Sequence, residues 1–211
     1  MKSPQLRRSC TALSNFDREY YRRFYNNPET AVASRAEMVA RARFISAYTQ
    51  HVGLPVHRLL DLGCGMGLMR ASFRRFLPLT QYVGVEHSDY LCERYGWVRG
   101  DAASFKATKP FELVVCYDVL QYLSDIAAAR AVANLARLCR GVLYISALTT
   151  EDWRYNCDRA RTDSDVYLRS GEWYRRRLRR HFRMIGAGLW IRRNAPLITW
   201  EMEAADPRTA P

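Results

Sequence analysis

The chain has 211 residues, of which 48% are apolar, 12% aromatic and 26% charged. That composition excludes an intrinsically disordered chain, since disordered sequences carry too few apolar groups to offset the entropy of ordering. No apolar run approaches the roughly 18 residues of a membrane span, and no hydrophobic signal sequence follows the basic start. We therefore expect one compact domain that interacts with no membrane.

The charged residues and the cysteines bear on partners and compartment. The net charge of +12 comes from 33 basic residues against 21 acidic ones, and among the basic residues only Lys2, Lys106 and Lys109 are lysines. Such an arginine content indicates either a nucleic-acid partner, because guanidinium groups bind phosphate, or codon composition alone. The cysteines at 10, 64, 92, 116, 139 and 157 include no C-x-x-C pair. This spacing predicts reduced thiols, a cytoplasmic location and no metal site.

Hydrophobic periodicity predicts helices that alternate with short buried strands. In chain order we predict a helix at 34–50, a strand at 58–62, a helix at 66–77, strands at 82–86, 97–100 and 113–117, a helix at 125–140 and a strand at 142–146. Ser124 is the expected N-cap of the helix at 125–140, and Gly141 is expected to end it. Because strands that alternate with helices pair in parallel through crossovers, the predicted fold class is α/β, Rossmann-like and doubly wound.

The end of the chain departs from this alternation. Runs at 182–191 and 196–203 both have strand-like composition, and only residues 192–195 separate them. So short a connection cannot hold a crossover helix, so we predict an antiparallel hairpin at the end of the sheet.

A glycine-rich segment follows the first predicted strand. Residues 59–67 read Leu-Leu-Asp-Leu-Gly-Cys-Gly-Met-Gly, with Asp61 near the strand end, and glycines permit a tight turn that a ligand can approach closely. Glu86 ends the next strand 19 residues after Gly67, the separation expected for a carboxylate that binds ribose hydroxyls. Asp101 and Asp118 follow two further strands. Since the carboxyl ends of parallel strands share one edge, the sequence predicts a nucleotide pocket there.

Over residues 35–205 these motifs resemble the class I S-adenosylmethionine-dependent methyltransferases, in particular their small-molecule branch. Segment 60–67 is similar to the family's glycine motif, and segment 117–123 to the strand end that flanks the methionine moiety. The resemblance implies a seven-stranded, mostly parallel sheet with an antiparallel last strand, and S-adenosyl-L-methionine as cofactor. The cofactor-binding residues that it implies are Asp61, Gly63, Cys64, Gly65, Gly67, Glu86, His87, Asp101, Ala102, Tyr117 and Asp118.

The site of the methyl acceptor is less defined by the sequence. We expect an N-terminal helical cap segment at 1–34 before a methyltransferase domain at 35–211, and the aromatic residues at 20, 21, 24 and 25 either cover the acceptor or pack into the core. The loop at 149–169 is rich in aromatic and acidic side chains, so it is either a solvated surface or a pocket for a polar or cationic acceptor. His87 either acts as a general base or packs beside the cofactor.

The expected function is transfer of a methyl group to an oxygen, nitrogen or carbon nucleophile, on a small molecule. Asp-Val-Leu-Gln at 118–121 replaces the N-P-P-Y signature of the family members that methylate DNA adenine or glutamine, which disfavours those substrates. One alternative is an RNA methyltransferase that binds nucleic acid through Arg175, Arg176, Arg177, Arg179, Arg180, Arg183, Arg192 and Arg193. A nicotinamide oxidoreductase and a non-catalytic methyltransferase-like binding protein are further alternatives. The catalytic residues and the oligomeric state stay open.

Overall fold

The computed structural model describes residues 16–26 and 34–205. Its strands are β1 (Arg58–Leu62), β2 (Gln81–Glu86), β3 (Val98–Arg99), β4 (Phe111–Tyr117), β5 (Cys139–Ser146), β6 (Phe182–Gly186) and β7 (Leu189–Arg192). Its α-helices are α1 (Arg18–Tyr21), α2 (Arg35–His51), α3 (Arg70–Phe76), α4 (Asp89–Tyr95), α5 (Asp125–Leu138), α6 (Thr150–Tyr155) and α7 (Gly171–Leu178). A π-helical turn at Arg22–Asn26 continues α1, and 3-10 turns lie at Leu120–Tyr122 and Glu201–Glu203.

The strands form one seven-stranded sheet in the order β3-β2-β1-β4-β5-β7-β6. β1 to β5 pair in parallel, whereas β7 runs antiparallel to both β5 and β6. The predicted Rossmann-like, mostly parallel sheet with an antiparallel last strand is confirmed. The strand order reverses between β1 and β4, and in doubly wound sheets the ligand crevice opens at the carboxyl ends of such a pair.

Two apolar clusters, one on each face, hold the sheet in place. Leu135 of α5 packs in the cluster that contains Val114 of β4. Ile45 of α2 and Phe73 of α3 pack in the other cluster, which contains Val115. Successive β4 residues therefore enter opposite clusters, as the alternation of side chains along a strand requires. All five side chains are fully buried or nearly so, and burial of each contributes about 1.5–3 kcal/mol, so the strand ends are rigidly placed.

The helix boundaries follow their capping residues. Ser34 and Glu37 form a capping box at the start of α2, and Ser124 accepts from the Ala127 N–H at the start of α5, as predicted. The helix predicted at 66–77 begins later, at Arg70, because residues 63–69 form an irregular turn. The predicted end of α5 at Gly141 is wrong: the helix ends at Leu138, and the chain enters β5 directly at Cys139. Gly141 lies inside β5, where an added Cβ would be 2.4 Å from the carbonyl oxygen of Glu112.

The hairpin forms within the first of the two predicted runs, so its predicted position is wrong. β6 and β7 both lie between residues 182 and 192, and Gly186, Ala187 and Gly188 between them have φ angles of 121°, 48° and 82°. Two glycines that adopt positive φ without steric cost allow the chain to reverse there. Residues 196–200 form no strand, and Ile198 and Trp200 are 78% and 76% exposed.

The predicted division into a cap segment at 1–34 and a domain at 35–211 stays a prediction. Residues 1–15, 27–33 and 206–211, including Cys10, lie outside the described residues. Residues 16–26, which belong to the predicted cap segment, are described and contain α1. They are called the cap helix segment below.

Candidate active site

The glycine turn follows β1 with all three of its glycines at positive φ. Gly63, Gly65 and Gly67 have φ angles of 77°, 53° and 69°. An added Cβ on Gly63 would be 2.2 Å from a Val119 methyl group, and one on Gly67 would be 2.5 Å from the Trp97 ring. A Cβ on Gly65 would meet nothing within 4 Å. The turn is therefore tightly packed at its first and third glycines and open at the second.

Glu86, at the end of β2, is held beside this turn by backbone donors. The Gly65 N–H donates to its Oε2 at 2.8 Å, and the N–H groups of His87 and Ser88 donate to its Oε1 at 2.8 and 3.0 Å. The residue is only 7% exposed. Because an ionised carboxylate offers about four lone-pair sites and three are occupied here, Glu86 retains acceptor capacity for a ligand hydroxyl group.

The next acidic residue, Asp101, closes a short turn after β3. Its Oδ1 accepts from the N–H groups of Ala103 and Ser104 at 2.8 and 3.0 Å, and its Oδ2 accepts from the Ser104 hydroxyl. The Asn134 side chain of α5 donates to the carbonyl oxygen of Ala102 at 3.0 Å. The turn is thus fixed both by its own carboxylate and by a helix behind it.

Asp118 follows β4 in the left-handed region, with a φ of 55°. Its N–H donates to the Ser146 carbonyl at 3.0 Å, which ties the turn to β5. A non-glycine residue in this region carries strain of about 1–3 kcal/mol, and such strain concentrates at functional sites. Burial raises the pKa of the Asp118 carboxyl, although Tyr117 and Arg41 lower it. The Arg41 guanidinium stacks 4.1 Å from the Tyr117 ring centroid.

These strand ends surround a cavity of about 890 Å³. That volume is near the upper end of the roughly 300–1,000 Å³ of small-molecule sites, so the cavity has space for more than one small ligand. Eight of the predicted cofactor-binding residues line it: Gly63, Gly65, Glu86, His87, Asp101, Ala102, Tyr117 and Asp118. The turn, the fixed carboxylates and the volume fit a nucleoside-containing cofactor.

The other three predicted residues, Asp61, Cys64 and Gly67, do not line the cavity. Asp61 is 2% exposed and accepts a hydrogen bond from the Tyr82 hydroxyl at 2.6 Å. Burial raises the pKa of its carboxyl to about 7. Burial also raises the pKa of the Cys64 thiol. Gly67 packs on Trp97, whose indole N–H donates to the Gly65 carbonyl at 2.9 Å. Trp97 thus packs against the glycine turn, and Asp61 is bonded to Tyr82 of β2.

The cap helix segment covers the cavity through its aromatic side chains. Phe16, Tyr20, Tyr21, Phe24 and Tyr25 all line it. The segment is anchored on the β2 side, where the Ser88 hydroxyl donates to the Phe16 carbonyl at 2.6 Å. It is anchored on the β4 side by a 2.9 Å hydrogen bond between the hydroxyl groups of Tyr20 and Tyr122. Of the two sequence-based interpretations of these aromatic residues, the structure places them over the cavity.

Tyr122 and Asp163 are among the lining residues to which the sequence assigned no role. Tyr122 lies in the 3-10 turn after β4, inside the segment 117–123 that the resemblance singled out. Asp163 lies in the loop at 149–169, whose acidic and aromatic composition was the only signal for it. The loop reaches the cavity because the Tyr167 N–H donates to the Gln121 carbonyl at 2.7 Å.

The arginine cluster lies apart from this cavity, since none of its residues is among those that line it. Arg175 pairs with Glu172 at 3.1 Å, and the Arg177 guanidinium stacks 3.6 Å from the Trp173 ring centroid. Within residues 16–26 and 34–205, no group of three or more His, Cys, Asp or Glu residues is arranged to hold a metal ion. No helix in the same residues is long and apolar enough to span a bilayer.

The sheet with one reversed strand, and the glycine turn beside an acidic strand end, define the class I methyltransferase architecture. A family profile described as "Methyltransferase domain" matches residues 23–193. The chain therefore belongs to the methyltransferase-domain family, and the sequence-based assignment to S-adenosylmethionine-dependent methyltransferases is confirmed. A search of curated proteins found no match.

Two of the solved structures similar to this chain, DesVI and NodS, share the fold at low sequence identity. DesVI of Streptomyces venezuelae is 16% identical with a TM-score of 0.55, over 74% of this chain and 91% of that chain. The N-methyltransferase NodS of Bradyrhizobium japonicum, in complex with S-adenosyl-L-homocysteine, is 16% identical with a TM-score of 0.54, over 87% and 95%. SAM-bound CalS10 of Micromonospora echinaspora, an amino pentose methyltransferase, is 22% identical with a TM-score of 0.46, over 54% and 52%. This chain thus spans about half the length of CalS10.

Proposed function

We propose that the cavity binds S-adenosylmethionine along the carboxyl ends of β1 to β4 and a small-molecule methyl acceptor beside it. The observation that carries this proposal is Glu86, a buried carboxylate that three backbone N–H groups hold beside the open face of Gly65. Under the proposal Glu86 accepts from a ribose hydroxyl, while Asp101 and Ala102 contact the adenine. Gly63 and Gly65 let the cofactor approach the backbone.

The remaining predicted residues complete the proposed cofactor site. His87 lines the nucleoside portion, and Tyr117 and Asp118 lie beside the methionine portion. Asp61, Cys64 and Gly67 act through the glycine turn that they support. A sulfonium is a cation, so aromatic faces nearby would each contribute about 0.5–2 kcal/mol to its binding.

The chemistry needs little from the protein beyond position. When bound, S-adenosylmethionine supplies a methyl group on a positively charged sulfur, which a nucleophile takes in line while the carbon–sulfur bond breaks and its electron pair stays on sulfur. Residues of the chain hold and align the reactants, and alignment alone contributes up to about 7–11 kcal/mol in favourable cases. The aromatic cap helix segment excludes water from the covered cavity.

The same cavity supports a small molecule rather than RNA as the acceptor. Carboxylates predominate among the charged groups that line it, and a negative lining repels the phosphates of a nucleic acid. The arginine cluster, which would attract phosphate, lies outside the lining. We infer a cytoplasmic location from the five cysteines of the described residues, which are all thiols.

Calorimetric titration with S-adenosylhomocysteine tests the cofactor site. We expect Glu86→Ala to weaken binding by roughly ten- to a hundredfold, because hydrogen bonds to a charged group contribute about 1.5–3 kcal/mol each. Glu93→Ala, an exposed change on the helix that follows β2, is the matched control and should leave affinity unchanged. Equal affinity of the Glu86→Ala and Glu93→Ala variants would contradict the assignment.

A thermal-shift comparison distinguishes the other functional classes. A ligand that binds only the folded state raises the melting temperature, so we expect S-adenosylhomocysteine to do so and NAD to have no effect. Stabilisation by NAD alone would select the oxidoreductase alternative. Absence of any shift with either ligand would select the non-catalytic alternative.

A further inference from the structure

The charge of the cavity is opposite to that of the chain. The chain carries a net charge of +12, yet seven carboxylate side chains line the cavity against the guanidinium groups of Arg23 and Arg159. In a partly enclosed cavity such an excess of negative charge is costly unless a cation binds there. The sulfonium of the proposed cofactor would offset part of this excess, and a cationic acceptor would offset more of it.

Four of the seven carboxylates serve the nucleoside or the cap helix segment. Under the proposed function, Glu86 and Asp101 serve the nucleoside. Asp17 caps α1 by accepting from the Tyr20 N–H at 2.9 Å, and Glu19 pairs with Arg22. The remaining carboxylates, those of Asp118, Asp163 and Asp165, follow β4 or belong to the loop that is bonded to the turn after β4.

Two of these carboxylates, Asp118 and Asp163, lie near the same phenol. Burial is the main cause that raises the pKa of Tyr20, and the charges of Asp163 and Asp118 raise it further. The Tyr20 hydroxyl is also 2.9 Å from that of Tyr122. Asp118 and Asp163 therefore share the part of the cavity that the aromatic rings of the cap helix segment cover.

The surroundings of Asp118 contain one buried acceptor and one buried donor, Gln121 Oε1 and Arg41 Nε, that have no partner among the described residues. The backbone places this carboxylate in the cavity lining with a φ of 55°, a conformation that side chains other than glycine seldom adopt. Gln121 lies next to it and is 4% exposed. Its Oε1 accepts no hydrogen bond from any residue in the described ranges. A cationic ligand with an N–H donor would satisfy the Gln121 oxygen and meet the Asp118 carboxylate.

We propose that the methyl acceptor is an amine, bound as its ammonium ion by the carboxylates of Asp118 and Asp163 against the rings of Tyr20 and Tyr122. The inference rests on the proposed function and names the acceptor class of the same cavity. An ammonium group is a donor with no acceptor, it forms short charge-assisted bonds to carboxylates, and it is attracted to aromatic faces. An alcohol carries no positive charge to pair with these carboxylates. An acceptor that carries a carboxylate or a phosphate group would be repelled by them.

The proposal assigns a proton step to Asp118. An ammonium nitrogen has no lone pair, so it must give up one proton before it can accept a methyl group. That proton moves to the Asp118 carboxylate, which leaves a neutral amine and a protonated carboxyl, and Asp118 releases it to water after the product departs. Burial raises the pKa of Asp118 despite the opposing effects of Tyr117, Arg41 and Gln121, and this shift favours the transfer.

Binding and turnover with paired probes test the proposal. The probes form two pairs, each of an amine and its matching hydroxyl compound: cyclohexylamine with cyclohexanol, and glucosamine with glucose. Calorimetry measures the binding of each probe to the enzyme loaded with S-adenosylhomocysteine. Formation of S-adenosylhomocysteine from S-adenosylmethionine is then followed by chromatography. We expect the enzyme to bind and methylate at least one of the two amines. We expect it neither to bind nor to methylate cyclohexanol or glucose.

Two variants and one control locate the effect. We expect Asp163→Asn to weaken amine binding by about tenfold or more, since a charge-assisted bond is worth at least 1.4 kcal/mol, with S-adenosylhomocysteine affinity unchanged. Asp118→Asn should abolish turnover of the amines, and a free energy of unfolding in urea close to that of wild type would show that the variant folds. Asp158→Asn, an exposed change in the same loop at a carboxylate that accepts from the nearby Ala160 N–H, should behave as wild type.

The outcomes separate this proposal from the proposed function. If wild-type enzyme does not bind S-adenosylhomocysteine, the proposed function fails. If it does, the amine proposal is overturned by preference for the alcohols, by absence of amine binding, or by an Asp163→Asn variant that binds amines as wild type does.

Discussion

Alanine substitutions at two glycines of the same turn should have different effects. We expect the change at Gly63 to lower stability most, and the change at Gly65 to weaken ligand binding. Alanine at Gly63 would place its Cβ 2.2 Å from the Val119 methyl group at a φ of 77°. Left-handed strain costs roughly 1–2 kcal/mol and overpacking typically 1–3 kcal/mol. We therefore expect Gly63→Ala to lower the free energy of unfolding by about 2–5 kcal/mol.

Alanine at Gly65 has a different effect because its Cβ meets no atom within 4 Å at a φ of 53°. Only the strain of roughly 1–2 kcal/mol applies, which lowers the melting temperature by about 2–8 °C in a chain of this size. The methyl group would nevertheless occupy the open face beside Glu86. We expect the dissociation constant for S-adenosylhomocysteine to rise by about tenfold or more, equivalent to 1.4 kcal/mol.

Urea unfolding and calorimetry measure the two effects independently. The double variant Gly63→Ala with Val119→Ala should recover part of the stability lost in Gly63→Ala, because it removes the overlapping methyl group. The reasoning is refuted if Gly65→Ala binds S-adenosylhomocysteine as tightly as wild type, or if Gly63→Ala is no less stable than Gly65→Ala.

Two further predictions concern Asp61 and the cap helix segment. Because burial raises the pKa of Asp61 in the folded state from its ordinary value of 3.8 to about 7, the folded state holds a proton that the unfolded state has lost, and stability decreases as pH rises through this window. Between pH 5 and pH 8 the free energy of unfolding of Asp61→Asn should therefore decrease by about 2–3 kcal/mol less than that of wild type. If urea unfolding shows the same pH dependence of stability for both proteins, Asp61 does not titrate in this range. Tyr20→Phe and Tyr122→Phe should show a coupling of about 0.5–1.5 kcal/mol in a double-mutant cycle of unfolding. Strictly additive effects would mean that their hydroxyl groups are not bonded in solution.

The sequence predicts the sheet well because its signals are local. Four of the five predicted strands overlap their observed counterparts over every predicted residue, since buried parallel strands are short continuous apolar runs. Ser124 works as a cap signal because its hydroxyl bonds a backbone group three residues away. The clustering of Glu86, Asp101 and Asp118 around one cavity follows from the parallel order of the strands.

The errors arise where tertiary contacts decide the structure. Gly141 has the composition of a helix stop, but the close approach of the Glu112 carbonyl inside the sheet is what requires glycine there. The run at 182–191 has the length of one strand, and the reversal at Ala187 is visible only once its φ is known. Tyr122 and Asp163 meet at the cavity through a backbone bond between Tyr167 and Gln121, which no periodicity encodes.

The two anchors of the cap helix segment bear on how quickly the enzyme can turn over. Ser88 and Tyr122 hold the segment by uncharged hydrogen bonds, each with a net value of about 0.5–1.5 kcal/mol. Contacts this weak open on the microsecond to millisecond timescale. Departure of the demethylated donor requires that opening, so the rate of opening sets an upper limit of roughly 10³–10⁶ per second on product release.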